Sequence, residues 1–256
     1  MAVAKVSLYS ESLGSAQEIT LILPNPNSMQ SSAVLYLLHG LLDGHETWLQ
    51  RTRLVEYAER YNLVVVMPNA QRSFYADQAQ GYAWRRWVEA ELPSMIERWL
   101  ALPENPVRHI AGLSMGGYGA MKLGLSEPKR FASIGSFSGV LDLVNVTQQP
   151  ISEDIQHDIE IAFGDLNAVE GTANDLMTLI KQKYLPYLYI TCGTEDSLLE
   201  GNRTLVSQLV KTHENLEYYE MPGGHEWALW DQNIAAYLQA LQGKQLLNLA
   251  SETLAT

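Results

Sequence analysis

The sequence predicts an α/β fold, in which helices flank a mostly parallel central sheet and a small helical cap is inserted. Short apolar runs alternate with longer amphipathic stretches, as in the successive strand–helix units of a parallel sheet. Runs such as Leu63–Met67 show no polar alternation, which is typical of strands covered on both faces. A polar, helix-prone segment over about residues 140–185 interrupts the alternation. Together these observations predict a single domain over residues 1–256 that contains the cap insertion.

Eight apolar runs predict the strands of the sheet. We expect the first two to pair as an antiparallel hairpin at the sheet edge. The predicted strands are Val3–Tyr9, Glu18–Leu23, Val34–Leu38, Leu63–Met67, Val107–Ala111, Ser133–Phe137, Tyr187–Cys192 and Leu216–Met221.

Apolar residues recur with helical spacing between several of these strands. One helix is predicted over Val88–Leu100, and Pro93 requires that it start or kink near that residue. The segment 140–185 is too long for an ordinary connection, so we expect a helical cap over the carboxyl edge of the sheet. In the helix predicted over Val88–Leu100, Met95, Ile96, Trp99 and Leu100 are predicted to point inward. Two further apolar sets each share one helix face: Leu54, Val55, Ala58 and Tyr61, and Leu205, Val206, Leu209 and Val210.

Charge and cysteine content exclude several classes of protein. The formal net charge of −12 provides no electrostatic reason to bind nucleic acid and disfavours anionic membranes. The longest apolar runs are too short to span a bilayer, and no secretory signal is recognisable, so we expect a cytoplasmic protein. The sequence leaves open whether the protein forms a homo-oligomer. Cys192 is the single cysteine, which excludes an intrachain disulfide, and its apolar strand predicts a packed core thiol.

The strongest chemical signal is the G-x-S-x-G motif that runs from Gly112 through Ser114 to Gly116. It follows a predicted strand and opens a helix-like stretch, which is the setting of a nucleophile elbow in α/β-hydrolases. A sharp turn there strains the serine, and the flanking glycines let backbone segments approach closely. The serine also stands at a helix N-terminus, which favours negative charge. We therefore predict Ser114 as the nucleophile; the alternative is an ordinary glycine-rich turn.

A serine hydroxyl needs an adjacent base, which in this fold follows the final strand. His225 is the only histidine placed there. His39 and His45 are expected to be structural or to line the site. His109 is predicted to lie in the core, whereas His157 and His213 are predicted to be exposed to solvent.

The acid that orients the histidine should follow a strand between the serine and the histidine. Two carboxylates, Glu195 and Asp196, come directly after the strand that ends at Cys192. We favour Asp196 because it stands at the turn before a helix, where it is aimed at a neighbouring loop. Glu195 as the acid, and a helix-capping role for Asp196, stay open.

The oxyanion of an acyl-transfer intermediate needs backbone donors. One is expected from Met115, directly after the nucleophile, and the other from Leu41, in the loop after the third strand. No metal-ligand spacing and no phosphate-binding glycine loop is recognised, so we expect neither a metal nor a cofactor. The aromatic-rich stretch Phe74–Trp87 is a candidate lining of an acyl pocket.

These motifs resemble the esterase D-like branch of the α/β-hydrolases, which includes S-formylglutathione hydrolases, and most closely its small tributyrin esterases. The similarity runs over about residues 34–231. The stretches that carry it are Leu37–Gly40, Trp48–Thr52, Val64–Asn69, Glu91–Pro93, Ala111–Gly119, Ser136–Gly139, Cys192–Asp196 and Gly224–Trp227.

The resemblance implies a serine carboxylesterase that hydrolyses short-chain acyl esters of small molecules through Ser114, Asp196 and His225. Thioester, feruloyl or acetyl ester hydrolysis and acyl transfer are the alternatives. S-formylglutathione hydrolases carry a cysteine in the loop after the third strand, whereas Gly40–His45 has none, which puts that activity in doubt. The acidic segment 140–185 is poorly suited to meet a lipid surface, so we expect dissolved substrates with acyl chains of about two to six carbons.

Overall fold

Eight strands form one sheet in the computed structural model, which describes residues 1–79, 81–146 and 151–247. The strands are β1 (Ala2–Ser10), β2 (Ser15–Leu23), β3 (Ala33–Leu38), β4 (Leu63–Pro68), β5 (Arg108–Leu113), β6 (Ser133–Phe137), β7 (Tyr187–Gly193) and β8 (Leu216–Met221). Their spatial order is β1-β2-β4-β3-β5-β6-β7-β8. All eight predicted strands are confirmed, with ends that shift by a few residues at most.

The strand pairing also follows the prediction. β1 and β2 form an antiparallel hairpin at the sheet edge, with a register that runs from Ala2 opposite Leu23 to Ser10 opposite Ser15. β2 is antiparallel to β4, and the strands from β3 to β8 pair in parallel. Since parallel strands end at one edge, the loops that follow β3, β5, β7 and β8 meet there.

Helices connect the strands and cover the sheet. They are α1 (Thr47–Arg51), α2 (Leu54–Arg60), α3 (Trp84–Arg86), α4 (Leu92–Trp99), α5 (Met115–Ser126), α6 (Leu143–Val146), α7 (Glu153–Phe163), α8 (Leu176–Leu179), α9 (Leu199–Leu209) and α10 (Trp227–Gly243). Short 3-10 helices span Pro26–Ser31 and Leu166–Ala168.

The sheet separates two hydrophobic cores. Consecutive side chains of β3 point to opposite faces: Val34, Tyr36 and Leu38 enter one core, while Leu35 and Leu37 enter the other. α4, α5, α7 and α9 cover the first core, and α2 and α10 cover the second. The strands carry unbroken apolar runs because both of their faces are buried.

The helix predicted over Val88–Leu100 is interrupted before Pro93. A π-helical turn (Trp87–Glu91) joins α3 to α4, and Pro93 lies in the first turn of α4. Proline has no N–H to donate to the preceding helical turn, and the widened π-helical turn accommodates this missing hydrogen bond. Ile96 is fully buried as predicted, but the inward position predicted for Trp99 is wrong, since this residue is 54% exposed. The spacing of apolar residues identifies the apolar face of a helix, but it does not show whether a neighbouring element covers that face along its whole length.

The described part of the segment 140–185 contains α6, α7 and α8, as the helical prediction requires; residues 147–150 lie outside the described residues. α7 packs on the loop that follows β4. Its Phe163 ring meets the rings of Phe74 and Tyr118 edge-on at 5.6 and 5.8 Å. Arg72 donates a 2.6 Å hydrogen bond to Asp158.

Candidate active site

Ser114 occupies a strained turn between β5 and α5. Its φ of 53° and ψ of −119° lie outside the regions that side-chain-bearing residues favour. A Cβ on Gly112 would lie 2.3 Å from the Gly116 carbonyl oxygen, and one on Gly116 would lie 2.5 Å from the Leu38 carbonyl oxygen. Only glycine allows this approach, so the local sequence produces an elbow that lifts the serine from the sheet edge.

Three side chains that follow different strands form one chain of hydrogen bonds. Ser114 Oγ lies 3.0 Å from His225 Nε2, and His225 Nδ1 lies 2.9 Å from Asp196 Oδ2. Because a carboxylate only accepts, Nδ1–H donates to Asp196, and neutral Nε2 accepts from the serine hydroxyl. This arrangement can deprotonate the hydroxyl as it attacks an electrophile.

Of the two adjacent carboxylates, the structure places Asp196 against His225. The Asp196 side chain is buried, and its second oxygen, Oδ1, accepts a 2.9 Å hydrogen bond from Leu198 N–H before α9. Glu195 points to solvent. Asp196 thus bonds to His225 and to Leu198 N–H through different oxygens, but it does not cap α9, whose N-cap residue is Leu198.

The surroundings keep Asp196 ionised. Burial alone would raise the pKa of its carboxyl group, but hydrogen bonds from His225 and from Leu198 N–H, together with the charge of His225, lower the pKa below its ordinary value. Nearby, burial raises the pKa of the Cys192 thiol to about 12. Cys192 is fully buried and stays a protonated core thiol, as predicted.

The two predicted oxyanion donors are backbone N–H groups in the loops that follow β5 and β3. Met115 begins α5, and Leu41 follows Gly40 in the loop after β3. In the part of the chain that the structure describes, neither N–H donates to a protein acceptor. Free donors at these two positions can bind an oxyanion.

The loop after β3 is held by contacts that the sequence does not reveal. His39 is buried; its Nδ1–H donates to the Gly40 carbonyl at 2.7 Å, and its Nε2 accepts from Ala70 N–H at 3.0 Å. Burial lowers the pKa of His39 to about 4, so the ring is neutral and structural. The Tyr75 hydroxyl donates to the His39 carbonyl at 2.9 Å, and Asp43 Oδ2 accepts from Gly40 N–H at 3.2 Å. No sequence motif singled out Tyr75 or Asp43.

The other histidines have different partners. His109 is buried and bonds through Nδ1 to the Ser133 hydroxyl at 2.7 Å, as its core position predicts. His157 is exposed. His213 is half-buried and donates to the Ile180 carbonyl at 3.0 Å, so it is less solvated than predicted.

The aromatic stretch Phe74–Trp87 mostly belongs to the core. Trp84 and Trp87 are buried, whereas Tyr82 is 62% exposed. Its first two residues contact the loops of the site: Phe74 N–H lies 3.3 Å from the Met115 sulfur, and the Tyr75 hydroxyl donates to the His39 carbonyl. A role for the stretch in lining an acyl pocket stays a prediction.

A cavity of about 420 Å³ lies against α5, the helix that follows Ser114, and Ser114, Asp196 and His225 are not among its lining residues. Val140 N–H donates to the Ser114 carbonyl at 3.2 Å, and the residues that follow it, Leu141–Leu143, line the cavity. Tyr118, one turn after the nucleophile, lines it from α5, and the stretch from Val169 to Lys181 closes the other side. Its volume lies within the range of small-molecule sites.

Among residues 1–79, 81–146 and 151–247, no three His, Cys, Asp or Glu side chains are grouped so as to hold a metal ion. Over the same ranges, no helix combines the length and the apolar character that crossing a membrane requires.

Comparison with known proteins identifies relatives over nearly the whole chain. The family model described as "Putative esterase" matches residues 10–241. An acetyl esterase from Caldicellulosiruptor saccharolyticus is 32% identical, over 92% of this chain and 96% of that protein.

Two solved structures from Staphylococcus aureus are also similar. The fluorophosphonate-binding serine hydrolase FphF has a TM-score of 0.85 and 28% identity, over 94% of this chain and 98% of that one. The S-formylglutathione hydrolase FrmB has a TM-score of 0.82 and 30% identity, over 94% and 99%. The chain therefore belongs to the esterase family that its sequence matches, in the esterase D-like branch of the α/β-hydrolases, and is a carboxylic ester hydrolase.

Proposed function

We propose that this protein hydrolyses short-chain acyl esters of small, dissolved alcohols through a covalent acyl-enzyme, with Ser114 as nucleophile, His225 as general base and Asp196 as orienting acid. The observation that carries the proposal is the pair of hydrogen bonds from Ser114 Oγ to His225 Nε2 (3.0 Å) and from His225 Nδ1 to Asp196 Oδ2 (2.9 Å).

In the proposed reaction, Ser114 Oγ attacks the ester carbonyl carbon while its proton passes to His225 Nε2. Asp196 stabilises the imidazolium without taking the proton. The N–H groups of Leu41 and Met115 bind the carbonyl oxygen as it becomes an oxyanion. Collapse of the intermediate expels the alcohol, which takes the proton from His225 and leaves an acylated Ser114. Water, deprotonated by His225, then releases the carboxylic acid and restores the serine.

Three features support short acyl groups. The acetyl esterase relative acts, by its name, on a two-carbon acyl group. We propose that the acyl group enters the cavity of about 420 Å³ against α5, where each further methylene gains about 0.8 kcal/mol only while room remains. We also propose that residues 140–185 are a cap within the single domain 1–256. The first helix turn of α7 carries Glu153 and Asp154, which do not favour an anionic lipid surface.

Thioester hydrolysis is a second candidate, because FrmB, an S-formylglutathione hydrolase, is 30% identical over nearly all of both chains. The loop after β3 lacks the cysteine expected of that activity, since Gly40–His45 contains none. Relative rates on an oxygen ester and on S-formylglutathione separate the two candidates.

The test is a panel of p-nitrophenyl esters from acetate to palmitate, with S-formylglutathione and a feruloyl ester included. We expect kcat/KM to peak between about two and six carbons and to fall steeply beyond, without a rate increase at the solubility limit. The Ser114→Ala variant should lose several orders of magnitude in kcat while it keeps its melting temperature, and a fluorophosphonate probe should label only the wild type. Preference for palmitate, or labelling of another serine, would contradict the proposal.

A further inference from the structure

Asp43 brings a carboxylate beside the nucleophile. Its backbone N–H donates to the Gly40 carbonyl at 3.2 Å, and its Oδ2 accepts from Gly40 N–H at 3.2 Å, which closes a tight turn. A methyl group on Gly40 would lie 2.7 Å from Asp43 Oδ2 and 3.7 Å from Ser114 Cβ. The carboxylate and the serine side chain therefore border the same small space.

Within the described part of the chain, no cationic side chain lies at contact distance from this carboxylate. Among the described residues, its one hydrogen bond is with Gly40 N–H, and no ion pair joins it. The two groups whose positive charge acts on it, Arg51 and His225, form no ion pair with it. Burial raises the pKa of the Asp43 carboxyl, although the Gly40 hydrogen bond and the charges of Arg51 and His225 act against the shift.

A half-buried negative charge beside an oxyanion site is unfavourable for esterase chemistry by itself, because the tetrahedral intermediate is also negative. It becomes favourable when the substrate carries a positive charge that lies between the two. A substrate carboxylate in that place would add a second repulsion. This reasoning rests on the proposed function, since it requires Ser114 to be the attacked position.

We infer that Asp43 determines the charge selectivity of the enzyme: it favours esters that carry a cationic group near the ester bond over neutral ones, and neutral over anionic ones. A unit charge about 7 Å away, at an effective dielectric constant of about 40, changes a rate constant by roughly sevenfold. We expect kcat/KM to fall by about this factor from the cationic to the neutral ester, and again from the neutral to the anionic ester.

The experiment compares three butyryl esters of similar shape at pH 8: the choline ester, its neutral isostere 3,3-dimethylbutyl butyrate, and the ester of 3-hydroxypropanoate. In the wild type, kcat/KM should decrease in that order. In Asp43→Asn, which keeps an oxygen to accept from Gly40 N–H, both ratios should fall by roughly sevenfold. Asp43→Glu should keep the wild-type order. A second series, with the charge on the acyl group, shows on which side of the ester bond the effect acts.

Glu104→Gln is the matched control. It removes one negative charge from an exposed position just before β5, at the opposite edge of the sheet, and should leave both ratios unchanged. If Asp43→Asn does not fold, Asp43→Ser retains an oxygen acceptor and replaces it. Ratios that agree within twofold between wild type and Asp43→Asn in both series would overturn the inference. Hydrolysis of the neutral ester by the wild type, abolished in Ser114→Ala, tests the proposed function separately.

Discussion

The hydroxyl of Tyr75 donates a 2.9 Å hydrogen bond to the backbone carbonyl of His39, two residues before the candidate oxyanion donor Leu41. Tyr75 is fully buried, with its ring against α5 at Gly119. The residue before it, Phe74, contacts the Met115 side chain through its N–H. One short segment after β4 therefore contacts the loops that carry both candidate donors.

Removal of this hydroxyl should misplace Leu41 N–H. We expect Tyr75→Phe to lower kcat by about tenfold to a hundredfold with KM within about threefold, because the donor acts mainly in the transition state. Affinity for a trifluoromethyl ketone, which forms a tetrahedral adduct, should fall by the same factor as kcat/KM. Tyr82→Phe, at an exposed position of the same stretch, is the control. An unchanged kcat in a folded Tyr75→Phe variant would exclude a positioning role.

The His225 and Asp196 variants should differ in severity. His225→Ala should reduce kcat about as much as Ser114→Ala, since the two groups act as one unit. Asp196→Asn keeps the geometry but loses control of the tautomer, and it should cost about 10²–10⁴ in kcat. Glu195→Gln should keep near-normal turnover, because Glu195 points to solvent. Steady-state kinetics of the three variants provide the check, and the reverse order for residues 195 and 196 would assign the acid to Glu195.

The buried side chain of Lys122 should make the free energy of unfolding depend on pH. It is fully buried in α5, donates a 3.2 Å hydrogen bond to the Tyr75 carbonyl and lies 5.7 Å from the centre of the Tyr118 ring. Burial, reinforced by the charge of Arg85, lowers its pKa to about 7 from an ordinary value of 10.5. Between these two pH values, the unfolded chain holds a proton that the folded chain has lost. The free energy of unfolding should therefore increase with pH across this window.

The Lys122→Met variant isolates this effect, because it keeps the aliphatic stem without a titrating group. Relative to this variant, the wild type should gain stability between pH 7 and 9, by up to about 1.4 kcal/mol per pH unit. Urea denaturation at three pH values measures the difference. The control is Lys129→Met at an exposed position, which should follow the wild type. Parallel curves for wild type and Lys122→Met would show that Lys122 is charged in both states.

The nucleophile elbow should not tolerate a methyl group at Gly112. Its Cβ would lie 2.3 Å from the Gly116 carbonyl oxygen, which is backbone and cannot rotate away. We expect Gly112→Ala to lower the melting temperature by several degrees and to displace Ser114, with loss of fluorophosphonate labelling. A Cβ on Gly243 would have no neighbouring atom within 4 Å, so Gly243→Ala should leave both quantities unchanged. Normal labelling of Gly112→Ala would show that the turn can relax.

The sequence by itself determined the eight strands, the edge hairpin and the elbow at Ser114, because each depends on local physics. An unbroken apolar run such as Leu63–Met67 can only be a buried segment, and glycines at positions 112 and 116 permit a turn that other residues forbid. The sequence also predicted the order of serine, acid and histidine along the chain. The linear pattern favoured Asp196 as the acid but left Glu195 open.

That choice belonged to the tertiary structure. Adjacent residues of a turn point in different directions, and only the parallel register of β7 and β8 aims Asp196 at His225. The exposure of Trp99 and the contact of Tyr75 with the His39 carbonyl have the same origin. Each depends on where a distant element ends or passes. Local sequence encodes which way a segment folds, whereas the groups that meet at the sheet edge are decided by packing between segments far apart in the chain.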